Sequence, residues 1–158
     1  MDRPNPSVDL EPIGTVVGGR LRPTDDGWDA ERCTIELDAA RFDPDSLAGL
    51  AEFSHVEVVF LFHLVDEADV VPGCRHPRER TDWPRIGIFA QRGRVRPNRL
   101  GVTVCRLESV EGTSVRVRGL DAVEGTPVLD LKPYLSGCAP RGEVREPPWA
   151  REIMEGYW

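Results

Sequence analysis

Apolar and polar residues alternate with a period of two along several short stretches of this chain. Cys33-Thr34-Ile35-Glu36-Leu37 does so, as does Ser114 to Arg118, where Val115 and Val117 alternate with Arg116 and Arg118. That period places every second side chain on one face and predicts half-buried β-strands. The strongest β signal is Val56-Glu57-Val58-Val59-Phe60-Leu61-Phe62, which is β-branched and aromatic, and too short and uniformly apolar for an amphipathic surface helix. Ile13 to Val17, Ile86 to Phe89, Val102 to Val110 and Thr126 to Leu131 bring the number of predicted strands to about seven. Pro127 falls at the start of the last of these, where a ladder loses least.

Helical periodicity is scarce. Asp43-Pro44-Asp45-Ser46-Leu47 reads as a capped single turn, with Asp43 as N-cap and Pro44 at the first helical position. Only Pro147 to Trp158 reads as a helix: Trp149, Ile153 and either Gly156 or Tyr157 share one face, opposite Arg151 and Glu155. Gly18 to Asp29 and Val70 to Pro84 are loops by composition, and residues 1–10, with Pro4 and Pro6, read as a flexible polar tail. Many short strands, turns between them and one terminal helix predict an all-β protein. A small single-domain β-barrel with loop embellishments fits best, because closure hides strand edges.

Composition narrows the class. At 158 residues the chain suits one domain, and 40 % hydrophobic with 30 % charged residues fits neither a disordered tail nor a membrane protein. No apolar run approaches the roughly 18–20 residues of a membrane span, and the N-terminus lacks the apolar core of a secretory signal. Cys33, Cys74, Cys105 and Cys138 are scattered without a CxxC pair, and His55, His63 and His76 are dispersed. Free thiols in a reducing cytoplasm and no metal centre are the expectation. The net charge of −7 is unevenly spread: from Arg75 to Arg118 there are eleven arginines and four acids, a local +7, leaving −14 elsewhere. A basic middle in an acidic protein can offer an anion a positive face, although some of these arginines will pair with acids.

General catalytic motifs are missing: no GxGxxG, P-loop, GxSxG or HExxH occurs. Three other stretches stand out: Glu52-Phe53-Ser54-His55 running into Phe60-Leu61-Phe62-His63; Ile86-Gly87-Ile88-Phe89-Ala90-Gln91-Arg92 through Arg96-Pro97-Asn98 to Gly101; and Gly119-Leu120-Asp121 through Gly125-Thr126-Pro127-Val128-Leu129-Asp130 to Tyr134. With Pro12-Ile13-Gly14-Thr15-Val16 and Gly49-Leu50-Ala51, they make residues 11–136 resemble the TsaA/TrmO-like family of S-adenosylmethionine-dependent tRNA methyltransferases. Residues 137–158 form an extension outside that common core.

The resemblance implies a β-barrel that works as a homodimer, binds S-adenosylmethionine, and methylates the exocyclic nitrogen of threonylcarbamoyl-adenosine beside the anticodon of tRNA. Carried over residue by residue, the cofactor contacts fall on Asp26, Gly27 and Trp28, on His63 and Leu64, on Arg92, on Val102, and on Gly119, Leu120 and Asp121. In that setting Arg92 can hold the cofactor's carboxylate in a bidentate pair. Asp121, the candidate catalytic residue, can accept from a ribose hydroxyl or from the attacking nitrogen, and His63 can stack on or hydrogen-bond the adenine. Arg94, Arg96 and Arg99, around a Pro-Asn turn, are the candidate contacts to tRNA phosphates, with at least two expected to face solvent.

The chain departs from the family's usual T-R-S-x-F-R-P-N-P-I-G by losing a serine, an aromatic and a proline and gaining two arginines. Its first loop offers Asp25-Asp26-Gly27-Trp28-Asp29 in place of a proline-arginine-glutamine run. Taken alone, each site residue has a plainer reading. His63 can be a structural strand-end residue, Asp121 a turn former, and Trp28 or Trp149 core filling. Two other functions stay open on the same barrel: a small-molecule methyltransferase and a non-catalytic S-adenosylmethionine-binding module. Methyl transfer from a sulfonium needs positioning and exclusion of water rather than a metal or a covalent nucleophile, which suits these residues.

Overall fold

The structure, a computed structural model, describes residues 6–158. Residues 1–5 of the expected tail lie outside the described residues; residues 6–12 carry no regular structure. Eight strands follow: β1 (Gly14–Val17), β2 (Arg32–Leu37), β3 (His55–Leu61), β4 (Cys74–Arg75), β5 (Ile86–Gly87), β6 (Leu100–Glu111), β7 (Ser114–Arg118) and β8 (Pro127–Pro133), and then helix α1 (Pro148–Ile153). Six of them close an all-β barrel in the order β1-β2-β7-β6-β3-β8, while β4 and β5 pair separately as a two-stranded flap. Every neighbouring pair is antiparallel.

The alternation read from the sequence is what fills the barrel. Val16, Ile35, Val56, Val58, Phe60, Val115, Val117 and Val128 point inward and are fully or almost fully buried. Each such side chain contributes about 1.5–3 kcal/mol on leaving water. Phe60 needs room across the β3–β6 ladder, where its register partner is Gly101. A side-chain carbon at Gly101 would run into the Phe60 ring, so the glycine is a packing requirement.

Two irregularities help the sheet to curve. Leu129 is an extra residue in β8 opposite the Val59–Phe60 step, and Glu108 is an extra residue in β6 between Leu107 and Ser109. The second bulge brings the Glu108 carboxylate to Arg32 on β2, with Arg32 Nε 2.8 Å from Oε1.

Three elements differ from the sequence reading. The stretch Ile86 to Phe89 is strand only as far as Gly87, and Ile88–Ala90 is a 3-10 turn. The reason is local: Phe89 is exposed, with no sheet to lie on, and the buried Gln91 amide donates to the Arg75 and Ile86 carbonyls, closing the flap by a side chain instead of a longer ladder. The long loop 70–84 accordingly contains β4, the partner that the flap requires. The terminal helix is limited to Pro148–Ile153, with Gly156 in the left-handed region at φ 75° as the chain turns back. Trp149, Ile153 and Tyr157 are half-buried, whereas Arg151 and Glu155 are exposed, which is the predicted division of faces.

Candidate functional site

β7 runs out into Gly119, Leu120 and Asp121 at one end of the barrel, and the loops gathered there carry most of the residues singled out from the sequence. Asp121 is the best-defined group. Its Oδ1 accepts from the hydroxyl of Thr103, a buried residue of β6, and its Oδ2 accepts from the hydroxyl of Tyr157. A carboxylate offers about four acceptor positions, so two remain after these bonds. The Tyr157 phenol is pushed well above its ordinary range, first by burial and then by the adjacent Asp121 charge, while Arg92 and Arg78 oppose the shift. Arg92 is exposed and donates one guanidinium N–H to the Val102 carbonyl at 2.7 Å, which leaves the rest of its planar fork available.

The C-terminal segment 148–158 closes one side of the site as a strap. Gly27 N–H donates to the Gly156 carbonyl and Trp28 N–H to the Tyr157 carbonyl, both at 2.8 Å. Arg78 donates to the Ile153 carbonyl at 2.9 Å and forms an ion pair with Asp26 at 2.8 Å. Trp83 Nε1 donates to Glu152 at 2.6 Å. Asp26, Gly27, Trp28 and Asp121 are thereby connected through the strap, while Arg92 and Val102 form a separate contact one residue along β6 from Thr103.

His63 is half-buried and stands on the other side of the 119–126 segment. Its Nε2 is 3.9 Å from the position that a side-chain carbon at Gly125 would take, an ordinary contact distance, so the ring lies against the Gly125 turn. Leu64 beside it is 58 % exposed.

The structure limits what several of these side chains can offer. Trp28 is only 3 % exposed, with the Arg20 guanidinium 4.1 Å above its ring, so its indole fills the core and its backbone is the part left to the site. Leu120 is 1 % exposed and belongs to the barrel core, leaving only its backbone at the site. The Gly119 N–H is already engaged by the Glu31 carbonyl at 2.9 Å. Of the three loop arginines, only Arg94 is exposed. Arg96 and Arg99 are half-buried and donate to the Gln91 and Val65 carbonyls at 2.8 and 2.7 Å, where they brace the turn. Arg99 sits at φ 51°, a backbone strain that these bonds hold in place.

Thr103, Tyr157 and Arg78 were not read as site residues. Thr103 left a signal, a hydroxyl at an inward strand position; the half-apolar face of the terminal helix concealed Tyr157, and nothing local marked Arg78. Among the described residues there is no group of three or more His, Cys, Asp or Glu side chains that could hold a metal ion, and no helix is long and apolar enough to cross a membrane.

The comparisons with known proteins converge on one family. Residues 23–139 match the model of the tRNA-methyltransferase O N-terminal domain. A mouse tRNA (adenine(37)-N6)-methyltransferase is 43 % identical over 91 residues, covering 58 % of this chain and 21 % of that protein. The Escherichia coli protein of the same name is 39 % identical over 95 residues, 58 % of this chain and 40 % of its own length. A Pseudomonas aeruginosa protein named "Putative S-adenosylmethionine-dependent methyltransferase RcsF" is 41 % identical over 106 residues, 67 % of this chain and 46 % of that one. The crystal structure of TrmO from Pseudomonas aeruginosa superposes with a TM-score of 0.70 at 30 % identity, covering 88 % of this chain and 61 % of that chain. This chain thus spans less than half the length of the three curated relatives described.

Proposed function

Because the chain belongs to the tRNA-methyltransferase O N-terminal domain family, we propose that it is an S-adenosylmethionine-dependent methyltransferase acting on the exocyclic nitrogen of threonylcarbamoyl-adenosine next to the anticodon of tRNA. The observation that carries this reading is the Asp121 carboxylate, braced by Thr103 and Tyr157 beside the free edge of Arg92. These residues fit the cofactor's chemistry. The Arg92 fork can take a carboxylate in a paired, charge-assisted bond, and Asp121 keeps acceptor positions for a hydroxyl or an N–H.

When bound, S-adenosylmethionine would supply an activated methyl group on a positively charged sulfur, with a neutral thioether as leaving group. Arg92 anchors the donor's amino-acid end. Asp121 orients the nitrogen and takes the proton that it sheds, returning it to solvent. His63, and the backbone at Gly27, Leu64, Val102 and Gly119 to Asp121, would lie along the bound donor and exclude water. Once donor and acceptor are held in line, positioning is the main contribution required of the protein. Arg94 is the loop cation left to meet a tRNA phosphate. The enzyme is proposed to work in the cytoplasm as a homodimer; Val102 and Val104, exposed side by side on the outer face of β6, offer a second copy an apolar surface.

Titration calorimetry tests the cofactor assignment. Arg92→Ala is expected to weaken S-adenosylmethionine binding by about 1.5–3 kcal/mol, the range for hydrogen bonds to charged groups. An unchanged dissociation constant in the folded variant removes Arg92 from the site. The net charge of −7 favours a second reading, a small-molecule methyltransferase on the same barrel. That enzyme would turn over without any salt-dependent affinity for RNA.

A further inference from the structure

The strand registers gather arginines that are far apart in sequence. Arg32 on β2 is the partner of Arg118 on β7, Arg118 is the partner of Arg106 on β6, and Arg106 is the partner of His55 on β3. Directly paired residues share a face, so four basic positions form one row across four strands, about 14 Å from end to end at the usual strand spacing. Arg116 lies in the next row, between Thr34 and Ser109. Arg32, Arg106 and Arg116 are exposed and Arg118 is half-buried, so this is the outer face of the barrel.

Like charges directly opposite one another are destabilising in a sheet. The protein offsets part of this: Glu108 pairs with Arg32 and Asp29 with Arg118, each at 2.8 Å. Arg106 and Arg116 have no hydrogen-bond or ion-pair partner among the described residues. The row also has a polarity. Arg118 leads directly into Gly119-Leu120-Asp121, so the row starts beside the candidate site, and it ends at His55, at the start of β3, whose other end runs into His63. Glu36 and Glu111, the register partners of Ser114, stand at the other end of β7. An acidic molecule with a basic row on one face turns that face toward a polyanion.

We propose that the row Arg32-Arg118-Arg106-His55, with Arg116, is the surface that receives the phosphate backbone of the RNA, and that it does more of this work than the Arg94–Arg99 turn. The inference rests on the tRNA reading above. Arginine suits the task because its planar fork stays charged and meets phosphate oxygens in pairs.

The test uses the full chain and two probes, unfractionated tRNA and S-adenosylmethionine, with tRNA affinity measured at several salt concentrations. Replacing Arg106 and Arg116 together by Ala removes two unpaired surface cations, so the fold is expected to hold, and calorimetry should return a cofactor dissociation constant within twofold of the parent. tRNA affinity is expected to fall at least tenfold at low salt, and the salt slope to drop by one to two units, about one per lost phosphate contact. The Arg→Lys pair, which keeps both charges, is expected to retain the slope. A parental slope and affinity in the Ala pair overturn the proposal, as does a full loss produced by Arg94→Ala alone. If polyglutamate competes for the parent's row and tRNA does not, the partner is an acidic protein and the proposal fails. If the parent binds cofactor but shows no salt-dependent tRNA binding, the tRNA reading falls and takes this surface with it.

Discussion

Cys33 and Cys105 lie inside the barrel, and burial pushes both thiols from 9.0 up to about 12, with nearby negative groups adding to the effect. The thiolate is the reactive form, so neither should react near neutral pH. Cys74 and Cys138 are exposed. Alkylation followed by intact-mass measurement should label two cysteines in the native chain and four in denaturant; more than two native labels would show that the barrel opens. The sequence revealed that these thiols were free but not which two were buried. Cys33 alternates with Thr34 in a readable strand, whereas the inward place of Cys105 depends on the β3–β6 register with Val56. Asp121 shows the same limit. Its candidacy came from the Gly-Leu-Asp stretch, but its two hydroxyl donors are 18 and 36 residues away, beyond the reach of any local pattern.

At the level of elements, the strap is the piece that local patterning described least well. Its apolar spacing foretold the half-buried Trp149, Ile153 and Tyr157, but periodicity says nothing about where such a face docks. Docking is decided by backbone pairing with Gly27 and Trp28 and by the Tyr157 hydroxyl. That hydroxyl makes the strap sensitive to alkali. Its folded pKa lies above the ordinary value of 10.0, so the stability it contributes is complete below pH 10 and is lost as pH rises beyond it. The buried thiols act in the same direction from about pH 9 upward, and do so equally in a Tyr157→Phe variant. The difference between parent and variant therefore isolates the strap. Tryptophan fluorescence from Trp149 and Trp158 should change above pH 10 in the parent and less so in Tyr157→Phe. Identical profiles would mean that the phenol does not hold the strap. The barrel strands themselves were legible because each one alternates or, as in β3, is β-branched and aromatic. The 86–89 stretch was not, because a side-chain amide, Gln91, ends it.

Across the whole molecule, the basic middle segment divides into three groups. Arg75, Arg78, Arg80 and Arg118 pair with acids; Arg92, Arg96 and Arg99 donate to carbonyls; Arg85, Arg94, Arg106 and Arg116 have no partner among the described residues. Carbonyl bonds leave a guanidinium charged, so seven of the eleven keep a charge that no acid neutralises. The surplus is visible in the sequence, and only the strand registers show that part of it lies in a row that starts beside the candidate site. The fold, the family and the proposed chemistry meet in one claim: Asp121 and Arg92 serve methyl transfer to a tRNA base. Mass spectrometry of nucleosides from tRNA incubated with the purified chain and S-adenosylmethionine tests that claim most directly. Threonylcarbamoyl-adenosine should gain one methyl group on its exocyclic nitrogen, and Asp121→Asn should abolish the gain. An unmodified threonylcarbamoyl-adenosine pool, from a chain shown by calorimetry to bind the cofactor, would contradict it.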